Sequence, residues 1–301
     1  MALAVNNNTS AFNVFTNYSS NISRMRTSMS RLSSGVKGVT DDPSGLGISE
    51  RMRSQIRSTG MSRQNVENGL SMLQTADSWL QKISDMLGRM HELGVEAGDG
   101  TKTSTDLDNI QSEFKELQSE IRRVTTGTTS AAKYNGLYLF RGGDGRTVND
   151  ATKGLSIQIG ADVGQKVKID LKQLDTSTTN TEDLTYDKAS GGTDTMRWGS
   201  MITSDGTLSV RSTDSIGKIA AAIDHIANSR ATLGAQQNRL KETQGGLLAY
   251  EDNLRSAESK VRDVDMASES TKFSKYQILS QISNAMLAQA NQLPSSSLQL
   301  L

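Results

Sequence analysis

Seven apolar residues stand seven apart near the C-terminal end: Ile219, Ile226, Leu233, Leu240, Leu247, Leu254 and Val261. An unbroken repeat of this kind marks a single apolar stripe along one helix. At 1.5 Å rise per residue, that helix is about 60 Å long. Most positions between the stripe's members are polar, among them Arg230, Gln237, Gln244, Glu251 and Glu258. The stripe is therefore a packing seam, and the rest of the helix meets water or other chains. Gly234, Gly245 and Gly246 lower its intrinsic propensity, so packing must hold it together.

A second stripe runs through Met72, Ala76, Trp79, Ile83, Met86, Met90, Leu93 and Ala97, with spacings of three and four. Val66, Leu70, Leu73, Leu80 and Leu87 add an adjacent seam, which predicts a helix gripped on two sides. Gly98, Asp99 and Gly100 end it. Ser104 or Thr105 then caps a third helix, with Leu107, Ile110, Phe114, Leu117, Ile121 and Val124 in regular three-four alternation. The chain's ends repeat the pattern. Phe15, Tyr18, Ile22, Met25, Met29 and Leu32 form one seam. Phe273, Tyr276, Leu279, Ile282, Met286 and Leu293, with Ile278 and Leu287, form a broader apolar face. One such helix alone cannot hide its apolar face from water. The pattern predicts ends that are mobile in a lone chain and become ordered on pairing with copies of themselves.

The middle differs. Asn135-Gly136, within Tyr134–Phe140, is a favoured hairpin turn. Leu155 to Leu171 alternates apolar and polar residues around Gly160–Gly164, which predicts a second hairpin. Thr176 to Thr195 is rich in Thr, Ser, Gly and Asp and reads as a surface loop or small insertion outside the core. The fold class expected is mainly α: a long, coiled-coil-like helical rod built from the N- and C-terminal segments, with a small β-hairpin region in the middle. Aromatics at 4% suit elongated helix pairs better than one thick core.

Little chemistry is on offer. There is no cysteine, which excludes disulfides, thiolate nucleophiles and zinc–thiolate sites. Two histidines, His91 and His225, are too few for most metal sites or catalytic triads. His91-Glu92 resembles the start of a zinc-protease motif, but Val95 stands at the second histidine position. Gly142–Arg146 lacks the Gly-Lys-Ser/Thr ending of a phosphate loop and reads as a turn. No catalytic, cofactor or metal residue is expected. Arg24, Arg26, Arg31, Lys37, Arg51, Arg53, Arg57 and Arg63 make the N-terminal quarter basic, but no aromatic residues interleave them. A solvated or inter-subunit face fits them better than nucleic acid. Lys plus Arg equals Asp plus Glu at 33 each, so no net field opposes self-association. The start of the chain has no basic and apolar leader, and no stretch is long and apolar enough for a membrane span. Composition alone would place the protein in the cytoplasm.

Several segments together resemble bacterial flagellins. They are Arg31-Leu32-Ser33-Ser34-Gly35 followed by Asp41-Asp42, Leu87-Gly88-Arg89-Met90-His91-Glu92-Leu93, Tyr134-Asn135-Gly136, and Ile157-Gln158-Ile159-Gly160. Leu233–Leu240 and Leu287–Gln292 with Pro294 extend the resemblance to the C-terminal end. The likeness runs in order over nearly the whole chain.

It implies a non-enzymatic, secreted subunit that polymerises with itself into the flagellar filament, exported by the flagellar type III pathway without a cleaved signal peptide. That moves the protein outside the cell. The implied division has residues 1–40 and 264–301 as terminal helices of an inner filament core. Residues 41–171 and 215–263 would form a rod domain with hairpins, and 172–214 a reduced variable surface segment giving a smooth filament. Implied partners are an export chaperone, the filament cap and hook-junction proteins, with no nucleic acid and no membrane insertion. Animal receptors of the Toll-like class read the rod surface in this family. The matching positions are Arg89, Leu93 and Glu113, while Gly88 and His91 depart from the family's Gln and Arg. The other reading of these residues is Leu93 as core and the charged pair as inter-subunit contacts. A hook–filament junction protein is the alternative to a bulk filament subunit.

Overall fold

The computed structural model describes residues 8–126, 130–140, 155–171, 174, 183–188, 193–199, 208–212 and 214–298, with side chains to residue 292 in the last helix. Five helices and three hairpins account for most of them: α1 (Thr9–Ser34), α2 (Pro43–Ala97), α3 (Ser104–Thr125), α4 (Ser215–Arg262) and α5 (Met266–Leu298). The hairpins are β1 (Lys133–Tyr134) with β2 (Leu137–Tyr138), β3 (Ser156–Gln158) with β4 (Lys166–Lys168), and β5 (Asp183–Asp187) with β6 (Thr193–Arg197), each antiparallel. The chain divides into two compact units, one of residues 1–56 and 252–301 and one of residues 57–251.

Local chemistry sets the helix ends. The Asn8 side chain accepts from the Ala11 N–H at 3.0 Å, and Gly35 closes α1 in the left-handed region with its N–H on Arg31 O. Pro43 opens α2 where its missing N–H costs nothing, and the Asp42 carboxylate takes the Gly45 N–H at 2.8 Å. The cap of α3 is Thr103, one residue before Ser104 and two before Thr105, the two expected caps. Its hydroxyl accepts from the Asp106 N–H while the Asp106 carboxylate accepts from the Thr103 N–H, a reciprocal box that needs an acceptor side chain three residues on.

The 57–251 unit holds the core. From α2 it takes Val66, Leu73, Leu80 and Leu87 on one seam and Ile83, Met90 and Leu93 on the other. From α3 come Ile110, Phe114, Ile121 and Val124, and from α4 Ile219, Ile226, Leu233 and Leu240. Ala222 and Ser229 fill the half-steps of the α4 repeat, so its contact stripe carries residues every three and four positions. Polar clamps hold the register: Arg230 Nε donates to Asp77 at 2.8 Å, and Gln244 Nε2 donates to Glu67 at 3.0 Å.

The first two hairpins fold as their patterns predict. Asn135 and Gly136 have φ of 47° and 78°, the two positive values a tight primed turn needs. Ile157 pairs with Val167 and both are buried, while Ser156 and Lys168 lie outward. Ile157 docks on α2 at Gly69, where an added Cβ would meet Ile157 Cδ1, so the glycine makes the close approach possible.

The Thr176–Thr195 reading needs correction. Its described part contains β5 and most of β6, registered Leu184↔Met196 and Tyr186↔Asp194. Leu184 and Tyr186 are buried, and Trp198 just beyond β6 is fully buried with its ring 5.8 Å from that of His225. Leu184 and Trp198 belong to the buried core cluster and anchor this segment despite its polar composition. Gly142–Arg146 lies outside the described residues.

Candidate assembly surface

In the unit of residues 1–56 and 252–301, α1 and α5 pair along their lengths. Asn8 Nδ2 donates to Ala290 O at 2.8 Å, Asn21 Nδ2 to Ser283 Oγ at 3.4 Å, and Ser28 Oγ to Glu269 Oε1 at 2.5 Å. Numbers rise on one helix as they fall on the other, so the pair is antiparallel. The covered positions are Ala11, Val14, Tyr18, Ile22, Met25, Ser28 and Leu32 on α1. On α5 they are Glu269, Phe273, Tyr276, Leu279, Ser283, Leu287 and Ala290. Both series step by three and four, the spacing of a two-helix seam.

The expected seam residues divide into two groups. Tyr18, Ile22, Met25, Leu32, Phe273, Tyr276 and Leu279 lie on the internal seam, half-buried. Phe15, Met29, Ile282 and Met286 point away from it and are more than half exposed, joined by Ile278 and by Phe12 at 70%. The side chain of Leu293 lies outside the described residues. Phe12 escaped the sequence reading, although it sits three residues before Phe15 on the same face. Also missed was the polar end of the seam, where Ser28 meets Glu269, because hydrophobic spacing follows only the apolar members. Among the described residues, Ala290 is the one buried apolar side chain in this unit.

Where α1 gives way to α2 and α4 to α5, the two connections pair. Val36 bridges to Asp263, Lys37 N donates to Arg262 O at 2.9 Å, and Val264 N donates to Gly35 O at 3.0 Å. Arg31 spans this corner, with Nη2 2.6 Å from Asp41 and Nη1 3.2 Å from Glu269. Hydrogen bonding from Arg31 holds the Asp41 carboxyl below its ordinary range. The Ser28 hydroxyl, then Lys272 and Arg31, do the same for Glu269 against the opposing effect of burial.

A carboxylate with a lowered folded-state pKa contributes stability above its unfolded pKa and loses it as pH falls through the folded value. Glu269 therefore supports the helix pair at neutral pH and ceases to do so well below about pH 4.3. In thermal melts of assembled filaments, wild type should exceed Glu269→Gln at pH 7, and the gap should close as pH falls below the ordinary carboxylate range. A gap that persists in acid would rule out this role.

Elsewhere, Arg89 Nε lies 2.7 Å from Glu113 and its Nη1 3.1 Å from Glu92, an exposed link from α2 to α3. Leu93 is 1% exposed. Its side chain packs the helices together and presents almost nothing to a partner, so surface here is made by Arg89 and Glu113. In the basic N-terminal quarter, Arg53 pairs with Glu50 and Arg63 with Glu67, which spends part of the positive charge internally. Among the described residues, no helix is long and apolar enough to cross a membrane, and no three acidic or histidine side chains cluster as metal ligands would.

Two family descriptions match the chain: the bacterial flagellin N-terminal helical region over residues 5–144 and the bacterial flagellin C-terminal helical region over residues 216–301. The chain is 39% identical to a flagellin of Bacillus subtilis, covering 99% of this chain and 100% of that one. It is 34% identical to a flagellin of Halalkalibacterium halodurans, covering 99% and 100%. With flagellin FlaB2 of Treponema pallidum it shares 36%, again covering 99% and 100%. Both helical ends, the segments that form the antiparallel pair, fall within the matched regions. The chain belongs to the bacterial flagellin family and is a self-polymerising structural subunit of the extracellular flagellar filament.

Proposed function

We propose that the apolar faces of α1 and α5 are the surfaces through which copies of this chain join. The observation that carries this is an imbalance. Ala290 is the one buried apolar residue among those described in the unit, while Phe12, Phe15, Met29, Ile278, Ile282 and Met286 stay exposed. Burial returns roughly 25 cal/mol per Å² of apolar surface, and ordering costs about 1–2 kcal/mol per residue. A helix pair without a core gains too little within one chain, and neighbouring copies supply the missing burial. Polymerisation is then cooperative, with a costly nucleus.

In this reading, residues 1–40 and 264–301 form the inner core of the filament. Residues 41–171 with 215–263 form the rod, and 172–214 a reduced outer segment. The subunit leaves the cell through the flagellar type III channel without a cleaved signal. An export chaperone, the filament cap and hook-junction proteins handle its ends, and it performs no catalysis. Arg89 and Glu113 are the residues offered to a Toll-like receptor, with Leu93 supporting them from below. The junction-protein alternative has no observation in its favour.

The test is electron microscopy of the purified chain seeded with short filament fragments. Long uniform tubes, with the two ends protected from protease, are expected. Persistent monomers, or short caps confined to hook ends, would overturn the reading.

A further inference from the structure

With no cysteine in the chain, its most readily oxidised side chains are the thioethers of its 12 methionines. Burial sorts the described ones. Met72 and Met90 are buried in the core of the 57–251 unit, out of an oxidant's reach. Met29, Met61, Met266 and Met286 are each more than half exposed. Met61 lies on α2 and Met266 opens α5. Met29 and Met286 differ from these two, because they belong to the free apolar face of the α1–α5 pair.

The seam of that pair passes through Ser28 and Leu287. Each methionine is the neighbour of one of these, turned about 100° around its helix and so away from the partner helix. Met29 lies about four turns beyond Phe15 on the same side of α1. Ile278, Ile282 and Met286 step by four along one row of α5. A thioether is apolar and adaptable, which suits a surface that repacks on joining. The same sulfur is open to chemistry for as long as the chain stands alone.

A peroxide takes two electrons from that sulfur. One peroxide oxygen bonds to it, the O–O bond breaks, and the other oxygen leaves with the protons as water, or as an alcohol from an organic peroxide. The product sulfoxide is polar, and its oxygen is an acceptor. Pressed against a neighbour's apolar face, that oxygen is buried with no donor and loses its hydration uncompensated. We propose that Met29 and Met286 are oxidation sites that switch the lone chain out of assembly, and that joining covers and protects both. The proposal rests on the free faces of α1 and α5 being the joining surface.

The test takes wild-type chain partly oxidised by hydrogen peroxide and seeds it with filament fragments. Sulfoxide at each methionine is then measured by mass spectrometry in the pelleted filaments and in the chains left in solution. Met29 and Met286 sulfoxides are expected to be enriched about tenfold in the unassembled chains, with Met61 sulfoxide evenly divided. Even partition of all three, or enrichment at Met61 alone, overturns the proposal. A full-length Met29→Leu, Met286→Leu double variant keeps apolar volume without the sulfur. It should still elongate after a peroxide dose that stops the wild type, and equal loss in both chains overturns the proposal as well. Peroxide added to finished filaments separates the switch from the reading beneath it. Met29 and Met286 oxidised as fast there as in the lone chain would overturn the joining surface itself. Protection in filaments together with even partition would overturn the switch alone.

Discussion

A chain ending at Lys272 forms no filaments, yet its 57–251 unit melts as in the full-length protein. The deletion removes Phe273, Tyr276, Leu279, Leu287 and Ala290, which is most of what covers α1. It also removes the bonds at Asn8 and Asn21, leaving only the Glu269 corner. An amphipathic helix draws most of its stability from packing its apolar face, so without α5 Tyr18, Ile22 and Met25 lose both cover and order. With α5 gone, Ile278, Ile282 and Met286 can no longer meet a neighbour. The effect on assembly is therefore complete. The 57–251 unit contains every member of the buried core cluster, none of which the deletion touches. Sedimentation and electron microscopy with seeds report the first half, and calorimetry the second. Tubes from the truncated chain would sink the assembly account. A lowered transition in the remaining unit would mean that α5 also stabilises what lies beyond its own helix pair.

How far the sequence could be read depended on whether an interaction was local. The α4 stripe announced itself because a helix repeats a face at fixed spacing, and Ile219, Ile226, Leu233 and Leu240 are buried as that spacing requires. Asn135-Gly136 was equally legible, since positive φ at two adjacent residues is a property of the turn itself. The β5–β6 hairpin was not. Its strands are built from Thr and Asp, and the side chains that bind it, Leu184, Tyr186 and Trp198, are too sparse to make a pattern. Its place in the core depends on what it meets, including the ring of His225 from a distant helix.

On α1 the apolar positions were legible but their division was not. Periodicity marks Phe15 and Tyr18 alike as apolar-face residues. Only the antiparallel register with α5 decides that Tyr18 is covered while Phe15 remains free. Ser28 and Glu269 show the reverse failure, a buried polar link at one end of a seam that hydrophobic spacing skips. Leu93, Arg89 and Glu113 divide for the same reason, since burial separates Leu93 from the two charged residues and sequence matching does not.

Phe114→Ala should be among the costliest point substitutions in this chain, and it should act on folding before assembly. Phe114 is fully buried on the inner face of α3, in one core cluster with Leu87 and Met90 of α2 and Ile226 of α4. Removing a buried ring leaves a cavity that helices held by polar clamps on either side cannot easily close, at a cost of about 3–5 kcal/mol. That is a large share of the stability of an ordinary domain. At roughly 2–4 °C per kcal/mol for a unit of this size, the transition falls by about 6–20 °C. Calorimetry of the monomer measures it. Phe15→Ala is the matching control: it removes the same ring from the exposed face of α1 and should leave that transition within about 0.5 kcal/mol, while assembly weakens. A Phe114→Ala loss under about 1 kcal/mol would mean that the α3 face does not carry the core, because a ring packed this deeply cannot be removed so cheaply.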